Sequence, residues 1–315
     1  MKSLTALLTQ MLLCLPLLAD VAIDKKADRI DVTIDGAPFT SFFNSGASKP
    51  YLHPLRTADG TVVTRSWPIV ADVAGETKDH PHHQGVWVGQ KFVNGLNFWE
   101  NAKAGSDTGR VVVDRILKAE GGAESGVIEA VLNWLGPDGT VVLQESRRMT
   151  FYSGTGPNRM FDIDSKWTAV KGPVTFGDTK EGTFAIRLND KFTEKSKGGM
   201  MTNAEGATGM KAVWGKASPW VDYSGTIDGK ALGIAILNHP ASFRHPTRWH
   251  SRDYGLFAAN PFGEQEMTTG KHTGASSYVL ESGKSIDLRH RVIIHPGSTA
   301  DAKISGLFAA YKTQE

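Results

Sequence analysis

Cysteine is almost absent. Cys14 is the one cysteine in 315 residues, and it lies in an apolar leader rather than in the body of the chain. A disulfide framework, a thiolate metal site and a thiol nucleophile are therefore excluded from the mature protein. Long hydrophobic runs are missing after the N-terminus, where nothing approaches the ~18 consecutive apolar residues that span a bilayer. Neither sign of charge dominates. The formal net charge is +2 and no Lys/Arg-rich run occurs, which argues against nucleic acid as a partner. There is no Gly-x-Ser-x-Gly elbow, Walker loop, dinucleotide fingerprint, paired-Cys ligand set or His-Glu-x-x-His motif, so a serine hydrolase or a nicotinamide enzyme is not expected.

What is present reads as an exported globular chain. Hydrophobic residues make up 40% and charged residues 22%, a balance that supports a core rather than disorder. Met1-Lys2 is a short positive start, Leu7 to Leu18 is nearly all apolar, and Ala19 and Ala22 are small residues suited to a cut. This pattern predicts a signal peptide over 1–22 and a mature domain over 23–315.

From there the pattern is β. Ile30 to Ile34 alternates with period two and is turned by Asp35-Gly36. Pro38 to Phe43 and Thr61 to Arg65 read as strands. Val86-Trp87-Val88 and Leu96 to Trp99 flank Asn94-Gly95, a strong hairpin signal. Alternating segments continue through Arg110–Leu117, Val127–Leu135, Val141–Tyr152, Arg159–Val170, Thr183–Leu188, Trp220–Ile227, Ala231–Leu237, Ser277–Leu280 and Ser285–His295. Only the tail looks helical, with Ser298 as a cap and Lys303, Leu307 and Tyr311 along one helix. No linker, repeat or composition shift divides the chain. The expected fold is all-β: one large antiparallel two-layer sandwich with a short C-terminal helix.

Three constellations carry chemistry. The first is Lys78-Asp79-His80-Pro81-His82-His83-Gln84-Gly85-Val86-Trp87, with three of the ten histidines inside four positions. Imidazole titrates near neutrality, binds metals and shuttles protons, and Asp79 is placed to orient one ring. On an extended chain His82 and His83 point to opposite faces, which argues against one shared metal. Five histidines, His53, His80, His239, His245 and His295, directly precede a proline. Proline stiffens such a site by restricting both residues. For His295 a strand end is the simpler reading.

The second constellation is Phe176 to Phe184, where Asp178 and Glu181 flank Lys180 between two glycines. Such a carboxylate pair is a source of general acid and base. The third runs from Asn238-His239-Pro240 through Arg248-Trp249-His250-Ser251-Arg252-Asp253-Tyr254-Gly255 to Asn260. Arginine forks and flat aromatic faces suit a pyranose, with its hydroxyls and CH face, better than a phosphate.

These runs, with Lys49-Pro50-Tyr51-Leu52-His53-Pro54-Leu55, Thr64-Arg65-Ser66-Trp67-Pro68 and Trp220-Val221-Asp222-Tyr223-Ser224-Gly225, resemble the bacterial family labelled PmoA-like, or "methane oxygenase PmoA". The resemblance covers most of the mature chain. It implies an exported β-sandwich similar to the galactose-mutarotase-like supersandwich, working on sugars. The lack of membrane-length runs after residue 22 speaks against reading the label as a membrane oxygenase subunit.

The expectation is an exported carbohydrate-active enzyme performing hydrolysis, elimination or isomerisation. His80, His83 and His250, with Asp178 and Glu181, are the expected catalytic groups. Arg65, Trp67, His82, Trp87, His239, Arg252, Asp253, Tyr254 and Asn260 are the expected substrate contacts. The partner is a carbohydrate or another small molecule, with no resident cofactor. The alternatives are a non-catalytic sugar-binding envelope protein and an oxidase using a divalent metal held by histidines.

Overall fold

The computed structural model describes residues 20–271 and 274–314. Most of the expected leader lies outside the described residues. The strands are β1 (Val21–Lys25), β2 (Arg29–Ile34), β3 (Ala37–Phe43), β4 (Tyr51–His53), β5 (Val86–Val93), β6 (Leu96–Asn97) and β7 (Arg110–Glu120). They continue with β8 (Ser125–Leu135), β9 (Val141–Tyr152), β10 (Arg159–Thr168), β11 (Val174–Phe176), β12 (Gly182–Arg187) and β13 (Gly199–Asn203). The last are β14 (Trp220–Ile227), β15 (Lys230–Asn238), β16 (Arg248–Trp249), β17 (Leu256–Asn260), β18 (Tyr278–Leu280) and β19 (Ser285–Pro296). Among the described residues three short α-helices, α1 (Met210–Val213), α2 (Glu264–Thr269) and α3 (Ile304–Tyr311), and a 3-10 turn, Asp190–Phe192, complete the set.

The named strands pair antiparallel in two sheets. One follows β1-β2-β3-β4-β5-β12-β17-β16, with β6, β11 and β18 attached beside β5. The other follows β13-β14-β15-β19-β10-β9-β8-β7. The two-layer antiparallel architecture expected from period-two alternation is the one observed. Asp35-Gly36, Asn94-Gly95 and Asp228-Gly229 all take positive φ at both positions, the geometry that two-residue hairpins require. The core between the sheets is rich in packed rings, including Phe39, Phe151, Phe161, Trp134, Trp167, Phe176 and Phe262. Among the described residues no helix is long and apolar enough to cross a membrane.

Two local expectations are corrected. Thr61 to Arg65 is no strand; it makes only single bridges, Arg56 to Val62 and Thr64 to Leu188. The segment is held instead by backbone bonds from Arg65 N to Arg187 O and Asn189 N to Val63 O. The C-terminal helix starts at Ile304, with Lys303 before it in the left-handed region. Ser298 does not cap it, because its hydroxyl is taken by Asp301 one turn earlier.

Small residues on one outer face position the site. Residues directly opposite in paired strands share a face. Tyr51 lies opposite Trp87, Trp87 opposite Ala185, and Ala185 opposite Ala258, which makes one row across β4, β5, β12 and β17. Val86, Val88, Phe184, Ile186 and Phe257 alternate with them into the core. The outer row begins with two large rings and ends with two methyl groups. The histidine loop folds over this row.

Candidate active site

Arg65 gathers the loop. It is fully buried, and its guanidinium donates to Trp67 O, Thr77 O, Asp79 O, His80 O and the Asp79 carboxylate. Asp79 also accepts from Arg187 Nη2 at 2.8 Å. Burial works against the Asp79 carboxylate, but the Arg187 charge and the Arg65 hydrogen bond outweigh it and hold its carboxyl below the usual range. Two buried guanidinium groups thus share one carboxylate, which pins the loop to β12.

His80 to His83 is a tight turn, closed by His83 N donating to His80 O at 2.9 Å. The chain is therefore not extended here. His82 and His83 do not diverge, and their ring centroids lie 4.4 Å apart. His83 is 1% exposed, and its Nδ1 faces Arg187 Nη1 at 3.3 Å. A guanidinium only donates, so Nδ1 accepts and the His83 proton sits on Nε2. Burial, then the neighbouring His82 and Arg187, push its pKa well below the ordinary value. Burial and the Lys49 charge lower His82 to about 3. Both rings are neutral at pH 7.

His80 is different. Its side chain is 41% exposed, with Nδ1 3.3 Å from Asp79 Oδ2. Its φ is +46°, in the left-handed region. The ring stacks between Tyr254 (5.1 Å, 6°) and His83 (4.8 Å, 9°), and His83 stacks in turn on Trp87 (5.1 Å, 22°). Four rings form a continuous ladder from the sheet to solvent.

The other wall comes from residues before β17 and before β12. His250 is buried, and its Nδ1 accepts from Trp214 Nε1 at 3.1 Å. Burial, then the charges of Arg252, Lys180 and His80, lower it to about 3. Arg252 makes no side-chain hydrogen bond or ion pair among the described residues, and its buried Nε has no partner. Its guanidinium lies 5.8 Å from the Tyr254 ring centre, and that of Arg187 lies 4.9 Å away. Burial lifts the Glu181 carboxyl above its ordinary value, against the pull of Lys180 and Lys91. The charges of Glu181 and Asp79 both act on Tyr254, and that of His80 acts on His250. Tyr254, stacked on His80 and beside the Arg252 and Arg187 guanidinium groups, joins the histidine loop to the segment before β17.

Several expected site residues do other work. Asp178 is buried and accepts from Gln265 N (2.8 Å) and Glu266 N (2.7 Å) at the start of α2, so it is a cap and not a proton carrier. His239 sits at the opposite layer, bonded to Gln314 O and packed on Tyr311. Arg65 has its donors spent on the loop. Trp67 anchors the same loop, with its N donating to Glu76 and the Arg65 guanidinium 5.1 Å from its ring. Trp87 is 1% exposed beneath His83, so it offers no open face to a ligand. Asn260 is buried; its amide donates to Thr179 O and Lys180 O and accepts from Phe262 N, which positions the loop that carries Glu181. Asp253 stands between Arg252 and Tyr254, with its main-chain O accepting from Lys195 N.

Two residues outside the expected set join the site: Arg187 and Lys49. Arg187 ends the alternating run Phe184-Ala185-Ile186-Arg187, and a charge on that outward register was the available signal. Lys49 is 1% exposed with one long bond, to Glu100 O at 3.5 Å. Among the described residues no group of three His, Cys, Asp or Glu side chains has the arrangement of a metal centre. The stacked rings present faces to one another rather than convergent nitrogen lone pairs.

No curated protein sequence matches the chain. Among solved structures it is distantly similar to a GalM/aldose epimerase homologue from C. elegans, at 9% identity over 88% of this chain and 100% of that one, with a TM-score of 0.35. Galactose 1-epimerase from Lactobacillus acidophilus NCFM is similar at 11% identity over 89% and 100% of the two chains, with a TM-score of 0.34. A galactose mutarotase-like protein from Clostridium acetobutylicum is similar at 9% identity over 88% and 98%, with a TM-score of 0.33. At these scores no residue correspondence follows. Residues 29–309 match the family of unknown function DUF6807, and the chain belongs to that family.

Proposed function

We propose that this protein is a carbohydrate-active enzyme in which His80 and Glu181 exchange protons with a sugar bound over the β5–β12–β17 face. One observation carries the reading: of the three loop histidines, His80 alone has a well-exposed ring, and that ring is held on both faces and at Nδ1. Stacking on Tyr254 and His83 fixes its plane, and Asp79 fixes its Nδ1–H. Its Nε2 is left to meet substrate. A positioned imidazole of this kind contributes ~10²–10⁴-fold as general acid or base. Glu181, with its raised carboxyl, is the complementary donor. Arg252 and the edge of Tyr254 bind ring hydroxyls. His83 and His250, buried and neutral, support the site from beneath: His83 stacks under His80, and His250 accepts from Trp214 Nε1.

A proton NMR time course with oligosaccharides and modified glycosides tests this, because a new reducing end, alkene or ring configuration names the reaction. His80→Ala and Glu181→Gln are expected to fold normally and lose at least ~10²-fold in rate. Unchanged turnover in both variants would overturn the assignment.

Export over the leader 1–22 belongs to the same proposal. Val21 is buried, pairs with Ile34 and exchanges two backbone bonds with Gly122. A cut after Ala19 keeps this strand whole, and a cut after Ala22 removes its first two residues. N-terminal sequencing of the exported protein is expected to read Asp20-Val21-Ala22, which ends the leader at 19 rather than 22; a full-length Met1 start would sink the leader.

A further inference from the structure

A cleft of ≈ 690 Å³ adjoins the histidine loop, bounded by the segment before β4, by Gln84, by Asn101 and by the start of β7. Its lining holds two cations, Lys49 and Arg110, and no aspartate or glutamate. Arg110 is exposed and has no ion pair or side-chain hydrogen bond among the described residues. The Glu100 carboxylate, which acts on Lys49, lies 3.7 Å from Lys91. Lys49 therefore reaches the cleft floor with only a main-chain oxygen at 3.5 Å.

Asn101, which lines the cleft, has a buried Oδ1 without a hydrogen-bond partner. Behind the lining, Trp87 Nε1 and Trp99 Nε1 are also buried without partners. Gly89 brings the Lys49 stem beside Trp87. A Cβ there would meet Lys49 Cδ at 3.4 Å and Trp87 Cδ1 at 3.5 Å, so the lysine stem and the indole pyrrole edge converge over it. Burying a polar atom without a partner is costly, and a ligand hydroxyl donating to Asn101 Oδ1 would remove that cost. Asn101 also ties the cleft to the catalytic loop, since its Nδ2 donates to Pro81 O at 3.2 Å. The volume lies in the range of small-molecule sites, ~300–1,000 Å³.

We propose that this cleft is a subsite for an acidic sugar unit, a uronate, with its carboxylate held between Lys49 and Arg110 and its hydroxyls on Ser48, Gln84 and Asn101. The assignment rests on the sugar reading above and adds the charge of the substrate. Burial lowers the Lys49 ammonium to about 7. A carboxylate arriving beside it favours the charged form, so binding at pH 8 takes up a proton.

Calorimetry at pH 8 in two buffers of different ionisation enthalpy tests this, with methyl glucuronide, methyl glucoside and acetate as probes. The glucuronide is expected to bind at least tenfold tighter than the glucoside, with proton uptake. Lys49→Met is expected to abolish both the preference and the uptake. Arg110→Gln, at an exposed position, is expected to weaken the glucuronide alone and leave Tm unchanged. Equal affinity for both glycosides overturns the subsite and leaves the sugar reading standing. Acetate binding as tightly as the glucuronide, with proton uptake, supports the anion pocket and overturns the sugar reading. No binding of any probe overturns both.

Discussion

Arg187 donates from Nη1 to Nδ1 of His83 at 3.3 Å while its Nη2 holds Asp79 at 2.8 Å. One buried guanidinium therefore sets both the tautomer of the ring beneath His80 and the carboxylate beside it. The β12 strand, through a single outward residue, determines how the loop 100 residues earlier presents its imidazoles.

Removing that cation leaves Asp79 with Arg65 and His80 and frees His83 Nδ1. Arg187→Met is expected to cost about 2 kcal/mol, below the ~3–5 kcal/mol for breaking a fully buried pair because Asp79 is half-exposed. Urea unfolding gives the stability change, and the His83 ring signals in NMR report the tautomer. A stable variant with an unchanged His83 spectrum would show that Arg187 does not hold the loop.

Under the proposed function, Glu181 is expected to give the pH profile a falling limb. Its carboxyl is raised by burial, so its protonated fraction persists above the ordinary glutamate range and falls as pH rises through the raised value. If Glu181 is the proton donor, kcat/KM drops across that step. Glu181→Gln removes the limb along with most of the rate. A glutamine variant that keeps the same limb assigns it to another group.

Buried histidines give stability two opposing pH dependences. Burial lowers His53 to about 4 and His82, His250 and His290 to about 3. Below the unfolded value near 6.5 the unfolded chain binds protons that these rings refuse, so stability falls as pH drops from 6.5 toward 4. His295 has the reverse sign. Its Nδ1 and Nε2 face Pro296 O and Asp222, both acceptors, so the ring is an imidazolium. Burial opposes that charge, but Asp222 outweighs it and raises the pKa. Its contribution is full below 6.5 and is lost as pH rises through the raised value. Urea midpoints from pH 4 to 9 check both. His295→Gln is expected to lower stability most at acid pH and to flatten the alkaline decline; parallel curves for variant and wild type would refute the assignment.

Much of the fold was legible locally. Alternation in Arg29–Ile34 or Arg159–Thr168 and the Asp-Gly and Asn-Gly turns act within a few residues, through backbone geometry and side-chain parity. The short strands β11, β13 and β16 were less legible, because two to five residues do not display a period. The histidine run and Glu181 were found by composition, since three imidazoles in four positions have no use in a strand. Their roles were not. Asp178 and Glu181 stand three residues apart in similar sequence, yet one caps α2 and the other keeps a partly exposed carboxyl 3.8 Å from Lys180.

By itself the sequence determined an antiparallel two-layer protein with a histidine loop, because parity and turn chemistry are local. Only the tertiary structure decided which imidazole is exposed and which cations are committed. Those depend on burial and on partners such as Arg187 and Asp79, 108 positions apart, and the free energy of a charge is set by its surroundings in space rather than its neighbours in the chain.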